Sequence, residues 1–360
     1  AAKRGRSVVI VDHARAPGEK IRISGGGRCN FTNTGTTVAN MLGENPQFSR
    51  SALKRYGPRD FIAMVDRHGI AWHEKTKGQL FCDDSAKQIV RMLTDQMRAA
   101  SATLKLDTGV AHLERHGAAF SARLSDGTTL QPASIVVASG GKSIPKMGAS
   151  GWGYDIARQF GLRVTDTRPA LVPLTFETGL LEQLKALAGV SVDARVTSAA
   201  GRGPGHGTVA FDEAMLFTHR GLSGPAILQI SSYWREGDEL TVAMVPSMRP
   251  FDHLKAAKEA QGKQAIQTPL SQILPRRLAE TVLERQGLSG KLAEISDKRL
   301  RDLDSAINDW RVKPVGSEGY RTAEVTLGGV DTAALDQQTM QARDQPGLYF
   351  IGEVVDITGW

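Results

Sequence analysis

The sequence is poor in cysteine. Cys29 and Cys82 are its two cysteines among 360 residues, and they lie too far apart to form a C-x-x-C motif. Cysteine-based zinc sites and a disulfide framework are therefore both disfavoured. A chain of this length buries enough apolar surface to fold without such cross-links. This cysteine usage is typical of a reducing compartment, so we expect a cytoplasmic protein.

Long apolar runs are also missing. No stretch approaches the roughly 18 consecutive apolar residues of a membrane-spanning helix. The best short runs are residues 8–11 and 135–138, each of strand length. No signal-peptide pattern precedes the first of them. We therefore expect no membrane partner.

Several catalytic motifs are absent as well. There is no H-E-x-x-H and no G-x-S-x-G, so metal-dependent and serine-dependent hydrolysis have no support, and we expect no metal site. Gly141-Lys142-Ser143 resembles the end of a Walker loop, but that motif needs a glycine where this chain has Val136. Alternate glycines over residues 201–207 have the wrong spacing for a nucleotide loop and favour a hairpin loop.

The charge balance is basic without being concentrated. Lys and Arg number 45 against 38 Asp and Glu, a formal net charge of +7. The basic residues are scattered, with short clusters such as Arg276-Arg277 and Lys298-Arg299. Nucleic acid stays an alternative partner, but an anionic cofactor or a solvated surface explains this pattern better. A small-molecule substrate is therefore the favoured expectation, and the oligomeric state stays open.

The order of elements predicts an α/β protein with a discontinuous domain. Residues 7–12 and 135–138 are apolar enough for buried parallel strands. The segments between and after them differ in character: loop over 17–33, mainly helix over 49–100, short strands over 103–124 with a turn at Asp126-Gly127, mainly strand over 171–246, helix over 250–309, and strand again from 325. The first and last segments resemble parts of one sheet.

Two features near the start of the chain are typical of a dinucleotide site. Asp12 ends an apolar strand, where a carboxylate accepts hydrogen bonds from a ribose hydroxyl, although for this residue taken alone a strand-ending or capping role is favoured. Gly25, Gly26 and Gly27 allow backbone N–H groups to face an anion, and Arg28 adds a phosphate partner. We favour this anion cradle over a flexible surface turn.

Later loops carry similar chemistry. Residues 139–141 follow the second buried strand, where ligands of open α/β sheets bind. Gly352, Glu353 and Asp356 follow the last strand. The carboxylates of Glu353 and Asp356 suit ribose or ribityl hydroxyls, and the alternative is that both are solvated acids of a loop. His219 lies in a glycine-rich polar loop and is a candidate proton donor or acceptor, although a structural histidine is the commoner case.

Together these motifs resemble the bacterial FAD-dependent flavoproteins of BaiN/YhiN type, also described as aminoacetone oxidase-like or NAD(P)/FAD-dependent oxidoreductases. The resemblance spans nearly the whole chain and is carried by residues 18–33, 138–141, 217–225 and 347–356. Relatives begin with a strand and a G-x-G-x-x-G loop and continue past Trp360. We therefore expect a chain that is truncated at both ends.

The resemblance implies a three-part architecture. An FAD-binding Rossmann-like domain of glutathione-reductase type would comprise residues 1–170 and 325–360. A β-rich substrate-side domain would comprise 171–249 and 310–324, and an inserted helical domain would comprise 250–309.

The resemblance also implies roles for individual residues. Asp12 would bind the adenosine ribose, the 25–30 loop would lie against the pyrophosphate and flavin, and a backbone group of Val110 would hold adenine. The full expected set of FAD contacts is Asp12, Lys20, Ser24, Gly25, Gly26, Gly27, Arg28, Cys29, Asn30, Thr32, Val110, Ser139, Gly140, Gly141, Gly352, Glu353 and Asp356. Cys29, Asn30 and His219 are the candidates for catalysis.

The expected activity is hydride transfer between a small organic substrate and FAD, at the interface of the FAD and β-rich domains. Either O2 or NAD(P)H would be the redox partner. Two alternatives stay open, an FAD protein that acts in tRNA modification and a flavin-binding protein without catalysis.

Overall fold

The computed structural model describes residues 1–199 and 207–360, and these form two compact units. The first unit comprises residues 1–167 and 326–360, and the second comprises residues 168–325. Part of the alternate-glycine segment, residues 201–206, lies outside the described residues. The expected division of the inserted region into a β-rich and a helical domain stays a prediction.

The helices of the described residues are numbered in chain order. They are α1 Glu19–Ile23, α2 Ser49–Arg55, α3 Pro58–Arg67, α4 Lys87–Ala99, α5 Trp152–Gln159, α6 Thr178–Leu184, α7 Pro225–Ser231, α8 Pro250–Gln261, α9 Gln267–Ile273, α10 Arg276–Arg285 and α11 Asp297–Asn308.

The strands of the described residues are mostly short. They are β1 Val9–Val11, β2 Asn30–Asn33, β3 Met41–Leu42, β4 Trp72–Glu74, β5 Gln79–Cys82, β6 Thr103–Lys105, β7 Val110–His116, β8 Ala119–Leu124, β9 Thr129–Leu130, β10 Ile135–Val137, β11 Arg168–Ala170, β12 Leu174–Thr175, β13 Ser191–Ser198, β14 Val209–Thr218, β15 Gly221–Ser223, β16 Leu240–Ala243, β17 Trp310–Val312, β18 Gly316–Ser317, β19 Val325–Leu327, β20 Leu348–Phe350 and β21 Thr358–Gly359.

Two parallel pairs organise the first unit. β1 pairs with β6, and β10 pairs with β20 in the register Ile135 to Leu348. Strands β7, β8 and β9 form the expected antiparallel meander, which turns at Asp126-Gly127. Parallel pairing joins segments that are distant in sequence, so the carboxyl ends of β10 and β20 lie side by side. This end of the pair carries most of the candidate site.

The first unit has a small apolar cluster between α3, α4 and β5. Val65, Cys82, Ile89 and Met92 are buried there, and Cys29 contributes from the glycine-rich segment. The cluster fixes the glycine-rich segment against the helices.

Helix α3 begins after Gly57, whose N–H donates to the Asp60 carboxylate at 2.7 Å. Pro58 occupies the first turn of this helix, where its missing N–H costs nothing.

The second unit is built on an antiparallel sheet of seven strands in the order β17-β16-β13-β14-β15-β12-β18. β13 and β14 pair over eight residues, from Ser191–Leu216 to Ser198–Val209. Residues alternate between buried and exposed along β13, as expected for a sheet with one covered face. Helices α8 to α11 follow β16 and return the chain to the sheet at β17.

Some sequence-based expectations were wrong. Residues 17–33 were expected to form a loop, but they contain α1 and β2, because residues 19–23 have no glycine or proline to prevent a helix. β4 and β5 lie in the region predicted as mainly helical, because β5 is stabilised by pairing with the distant β2. The mainly-strand region also contains α6 and α7.

The two apolar strands are less buried than expected. Val9 is 42% exposed and Val136 is 55% exposed. Within the described residues, β1 pairs only with β6 and β10 only with β20, so one part of each apolar strand remains uncovered. No helix among the described residues is long and apolar enough to cross a membrane.

Burial makes the stability of the first unit sensitive to alkaline pH through Cys82. Desolvation raises the pKa of its thiol from 9.0 to about 11, with Cys29 and Asp83 adding to the effect. The unfolded chain loses this proton first, so we expect the free energy of unfolding to fall as the pH rises from about 9 to 11. Urea denaturation at several pH values in this range measures the free energy of unfolding.

The Cys82→Ala variant is the matched comparison, because it retains Cys29 and every other titrating group. Its unfolding free energy should depend less steeply on pH above 9 than that of the wild type. Equal slopes would show that the Cys82 thiol does not titrate differently in the folded protein.

Candidate functional site

The carboxylate of Glu353 joins four segments of the first unit. Its Oε2 atom accepts a hydrogen bond from Lys20 Nζ at 3.1 Å. Its Oε1 atom accepts from Ser143 Oγ at 3.1 Å and from the backbone N–H of Thr326 at 2.8 Å. Lys20 also donates to Ser143 Oγ at 2.8 Å. We call Lys20, Ser143, Thr326 and Glu353 the Glu353 junction.

Gly141 lies directly beside this junction. A Cβ atom at this position would collide with Thr326 Oγ1 and would lie 2.7 Å from Glu353 Oε1. Thr326 Oγ1 accepts hydrogen bonds from the backbone N–H groups of Lys142 at 2.8 Å and Ser143 at 3.2 Å. The loop after β10 therefore approaches β19 so closely that only glycine fits.

Gly140 and Gly352 follow the neighbouring strands β10 and β20. Both adopt left-handed backbone conformations, with φ of 74° and 76°. A Cβ at Gly352 would meet no atom within 4 Å, and one at Gly140 would meet only Glu353 Oε2, at 4.0 Å. The space beside these glycines is open, which allows a ligand to approach the backbone closely. Ser139 directly precedes Gly140 in the sequence.

The glycine-rich segment after α1 forms a tight turn. Gly25 and Gly26 have φ of 57° and 66°, and the Cβ direction of Gly26 is open. A Cβ at Gly25 would lie 2.6 Å from the Phe81 ring, so the turn packs closely against β5. Ser24 Oγ donates to the carbonyl of Ile21 at 3.0 Å, which ties the turn to the helix that carries Lys20.

The remaining residues of this segment differ in exposure. Asn30 is exposed at the start of β2, and Thr32 pairs with Leu80 in the same sheet. Arg28 accepts a backbone hydrogen bond from Cys82 at 3.0 Å, and Gly27 accepts one from Ala86 at 2.8 Å. These bonds hold the glycine-rich segment against β5 and the start of α4, and its role as an anion cradle stays a prediction.

Cys29 is a buried thiol, 5% exposed, with a left-handed backbone. Desolvation raises the pKa of its thiol, and a hydrogen bond with Ser24 lowers it by less. The group is therefore protonated at neutral pH, which suits a proton donor and disfavours a thiolate nucleophile.

Asp12 lies at the carboxyl end of β1, as predicted. Its Oδ1 atom accepts a hydrogen bond from the Ala14 N–H at 2.9 Å, and its backbone carbonyl accepts one from Thr108 at 3.1 Å. The Asp12 side chain is 39% exposed. Within the described part of the chain no hydrogen bond uses Oδ2, so this atom can accept from a ligand hydroxyl. Val110 begins β7 opposite Leu124.

Two predicted site residues, Asp356 and His219, lie in different environments. Asp356 is 3% exposed, and its carboxylate accepts a hydrogen bond from the Glu44 N–H at 2.9 Å. Desolvation raises the pKa of this carboxyl above its ordinary value. His219 is exposed in the β14–β15 turn of the second unit. Their roles stay predictions.

The residues present fit a dinucleotide such as FAD. Left-handed glycines with open Cβ directions suit a diphosphate, because backbone N–H groups then reach the oxygens without obstruction. Glu353 accepts three hydrogen bonds from the protein, and a carboxylate has about four acceptor sites, so Oε2 retains one for a hydroxyl. Asp12 offers the same chemistry beyond β1.

The sequence interpretation did not assign Ser143 or Thr326 to the site. Ser143 and Thr326 are both fully buried and both bond to Glu353. The signal for Ser143 was its position two residues after Gly141. The sequence analysis considered Ser143 only as part of a Walker motif. Thr326 lies at the start of the last segment with no local motif to mark it.

Comparison with known proteins identifies relatives over the whole chain. A family model described as HI0933-like protein Rossmann domain matches residues 1–360. The chain is 48% identical to the ribosomal RNA dihydrouridine synthase of Escherichia coli (strain K12), over 100% of this chain and 88% of that protein. It is 42% identical to the protein of that name in Haemophilus influenzae, with the same coverage.

A third relative has a different printed activity. The chain is 28% identical to the 3-dehydro-bile acid delta(4,6)-reductase of Clostridium scindens, over 98% of this chain and 87% of that protein. The family match confirms the predicted fold class, an α/β protein with a Rossmann-like FAD-binding domain, and the recognised oxidoreductase family. The role of NAD(P)H and the individual FAD contacts stay predictions.

The Glu353 junction is tested by the Glu353→Gln substitution. An amide would direct its NH2 group at the donors Lys20, Ser143 or Thr326 and leave the lysine charge uncompensated. We expect the free energy of unfolding of the first unit to fall by about 1–3 kcal/mol in chemical denaturation.

Asp95→Asn is the matched control, since Asp95 pairs with Arg98 at 2.7 Å on the exposed surface of α4. We expect this change to cost less than about 0.5 kcal/mol. If Glu353→Gln unfolds at the same denaturant concentration as the control, the carboxylate does not hold the four segments together.

Close approach at Gly141 is tested by Gly141→Ala. The added methyl group must displace Thr326 or Glu353, so we expect a loss of about 1–3 kcal/mol of stability in thermal or chemical unfolding. Gly109→Ala is the control, because a Cβ there would meet nothing within 4 Å. Equal stability of the two variants would contradict the steric argument.

Proposed function

Because this chain belongs to the HI0933-like family, we propose that it is an FAD-dependent reductase that converts uridine in ribosomal RNA to dihydrouridine. Its 48% identity to the E. coli ribosomal RNA dihydrouridine synthase, over the whole chain, carries this proposal. The H. influenzae relative supports it independently, at 42% identity. The sequence favoured a small-molecule substrate over nucleic acid, and the relatives now favour RNA.

The names of the three relatives describe related chemistry on different substrates. In uridine the C5=C6 bond is conjugated to a carbonyl, so C6 is electron-poor and C5 can accept a proton. Saturation adds one hydride and one proton, and the balance is uridine plus NAD(P)H plus H⁺ giving dihydrouridine plus NAD(P)⁺. FAD supplies the hydride when it is bound. We propose NAD(P)H as the electron donor.

The protein residues would position the reactants and supply the proton. The Glu353 junction holds the loops after β10 and β20 together, and the open glycines Gly140 and Gly352 would then contact the same ligand. Cys29 is protonated at neutral pH and Asn30 is exposed next to it. We propose Cys29 as the proton donor to C5, with Asn30 as a hydrogen-bond partner of the base and His219 as a further candidate.

A second candidate is reduction of a small conjugated ketone. The bile acid reductase supports it at 28% identity. In both candidates the reaction is hydride addition to a carbon–carbon double bond conjugated to a carbonyl group. The two differ in the size and charge of the substrate.

The decisive experiment uses the FAD-loaded full chain under anaerobic conditions. It is incubated with NADH or NADPH and with ribosomal RNA from cells that lack their own enzyme of this family. We expect dihydrouridine to appear in the RNA, measured by mass spectrometry of digested nucleosides. A steroid dienone is offered in parallel as the small substrate.

Each outcome selects one candidate. Dihydrouridine in RNA with an unreacted dienone supports the RNA reductase, and the reverse supports the small-ketone reductase. If neither substrate is reduced by FAD-loaded protein that NAD(P)H has bleached, both candidates are wrong.

A further inference from the structure

The second unit contains two adjoining hollows beside β17. The narrower is a cavity of about 150 Å³, and the wider is a cleft of about 710 Å³. Arg285, Trp310 and Arg311 line both, so the cavity and the cleft lie side by side and share these three residues. A cavity of about 150 Å³ accommodates a single six-membered ring. The cleft has room for the groups attached to such a ring.

Most of the residues that line the cavity are apolar, and two of them, Phe217 and Trp310, are aromatic. Trp310 is 9% exposed and stacks on Phe217, with ring centroids 6.1 Å apart and an interplanar angle of 25°. The other apolar residues of the lining are Leu184, Leu187, Met244, Leu278, Val282 and Ala306, and Asp309 is its acidic residue. Flat nucleobases bind on aromatic surfaces of this kind, because every base has a π face.

Arginine and lysine side chains line the cavity and the cleft. Among residues 1–199 and 207–360, neither Arg285 nor Lys313 has a hydrogen-bond or ion-pair partner. The charge of Arg311 is partly compensated by Asp309 at 3.6 Å and Glu239 at 3.8 Å. Glu177 is the acidic residue of the cleft wall.

Arg285 is exposed and lines both hollows. Desolvation by the surrounding atoms lowers the pKa of its guanidinium. Asp309 lines the same cavity, but its ion pair within the described residues is with Arg311. A guanidinium in this setting pairs favourably with a phosphate, which it can bind in a bidentate way.

We propose that this cavity and cleft bind a nucleotide of the RNA substrate, with the base against Trp310 and its phosphate on Arg285 and Lys313. This inference rests on the proposed RNA reductase function and names a binding site in the second unit. The ring-sized cavity with its aromatic wall suits the base of a nucleotide, and the unpaired cations Arg285 and Lys313 suit its phosphate.

The test is binding of a short fluorescent oligouridylate to the full chain, measured by anisotropy over a range of salt concentrations. Arg285→Met should weaken binding about tenfold and reduce the slope of log affinity against log salt by about one, because one phosphate contact is lost. Lys313→Gln should act in the same direction. Glu177→Gln should strengthen binding about twofold, since it removes a repulsive charge.

Arg276→Gln is the matched control. Arg276 lies on the same helix, α10, but pairs with Glu280 at 3.0 Å away from both hollows. This variant should bind within about twofold of wild type. Arg285→Lys keeps the charge and should lose less affinity than Arg285→Met. Circular dichroism checks that each variant is folded.

Competition distinguishes the parts of the ligand. Uridine 5′-monophosphate should displace the oligonucleotide at lower concentration than uridine or inorganic phosphate alone. Equal competition by uridine and its monophosphate, or unchanged binding by folded Arg285→Met, overturns the site while leaving RNA reduction by the wild type intact. If the wild type neither binds nor reduces RNA, the proposed function fails as well.

Discussion

The first unit depends on one carboxylate in a confined position. Glu353 accepts hydrogen bonds from Lys20, Ser143 and Thr326, three residues from different segments of the chain. Its partner Lys20 is 333 positions away in sequence. Ser143 and Thr326 are buried, and buried polar groups are costly unless they are paired, so both require the Glu353 carboxylate. The junction thereby sets the relative position of α1, the loop after β10 and the residues after β20.

The same arrangement explains why the glycines occur where they do. Gly141 is required by the close approach of its loop to Thr326, whereas Gly140 and Gly352 adopt left-handed conformations beside open space. The first is a packing constraint inside the protein, and the other two leave the backbone accessible from outside. Parallel pairing of β10 and β20 brings both kinds to one edge. This part of the unit offers both the backbone donors and the carboxylates that suit a dinucleotide.

The two units would divide the work in the proposed reaction. The first has the glycines and acids that suit FAD and a protonated thiol at Cys29. The second has a ring-sized cavity and an adjoining cleft, lined by the unpaired cations Arg285 and Lys313. A small neutral ketone needs the apolar lining but not Arg285 or Lys313, whereas a nucleotide uses all of them. Charge is therefore the property that separates the two candidate substrates.

The sequence alone determined the features that depend on local chemistry. The strands β10 and β20, the meander with its Asp126-Gly127 turn and the glycine pair at 140–141 follow from apolar runs and turn residues. The family-level function also followed from local motifs. Tertiary structure decided the rest: the strands β4 and β5, the exposure of Val9 and Val136, and the roles of Ser143 and Thr326. Each of these depends on partners distant in sequence, and hydrogen bonding and burial between distant segments leave no periodic signal in the chain.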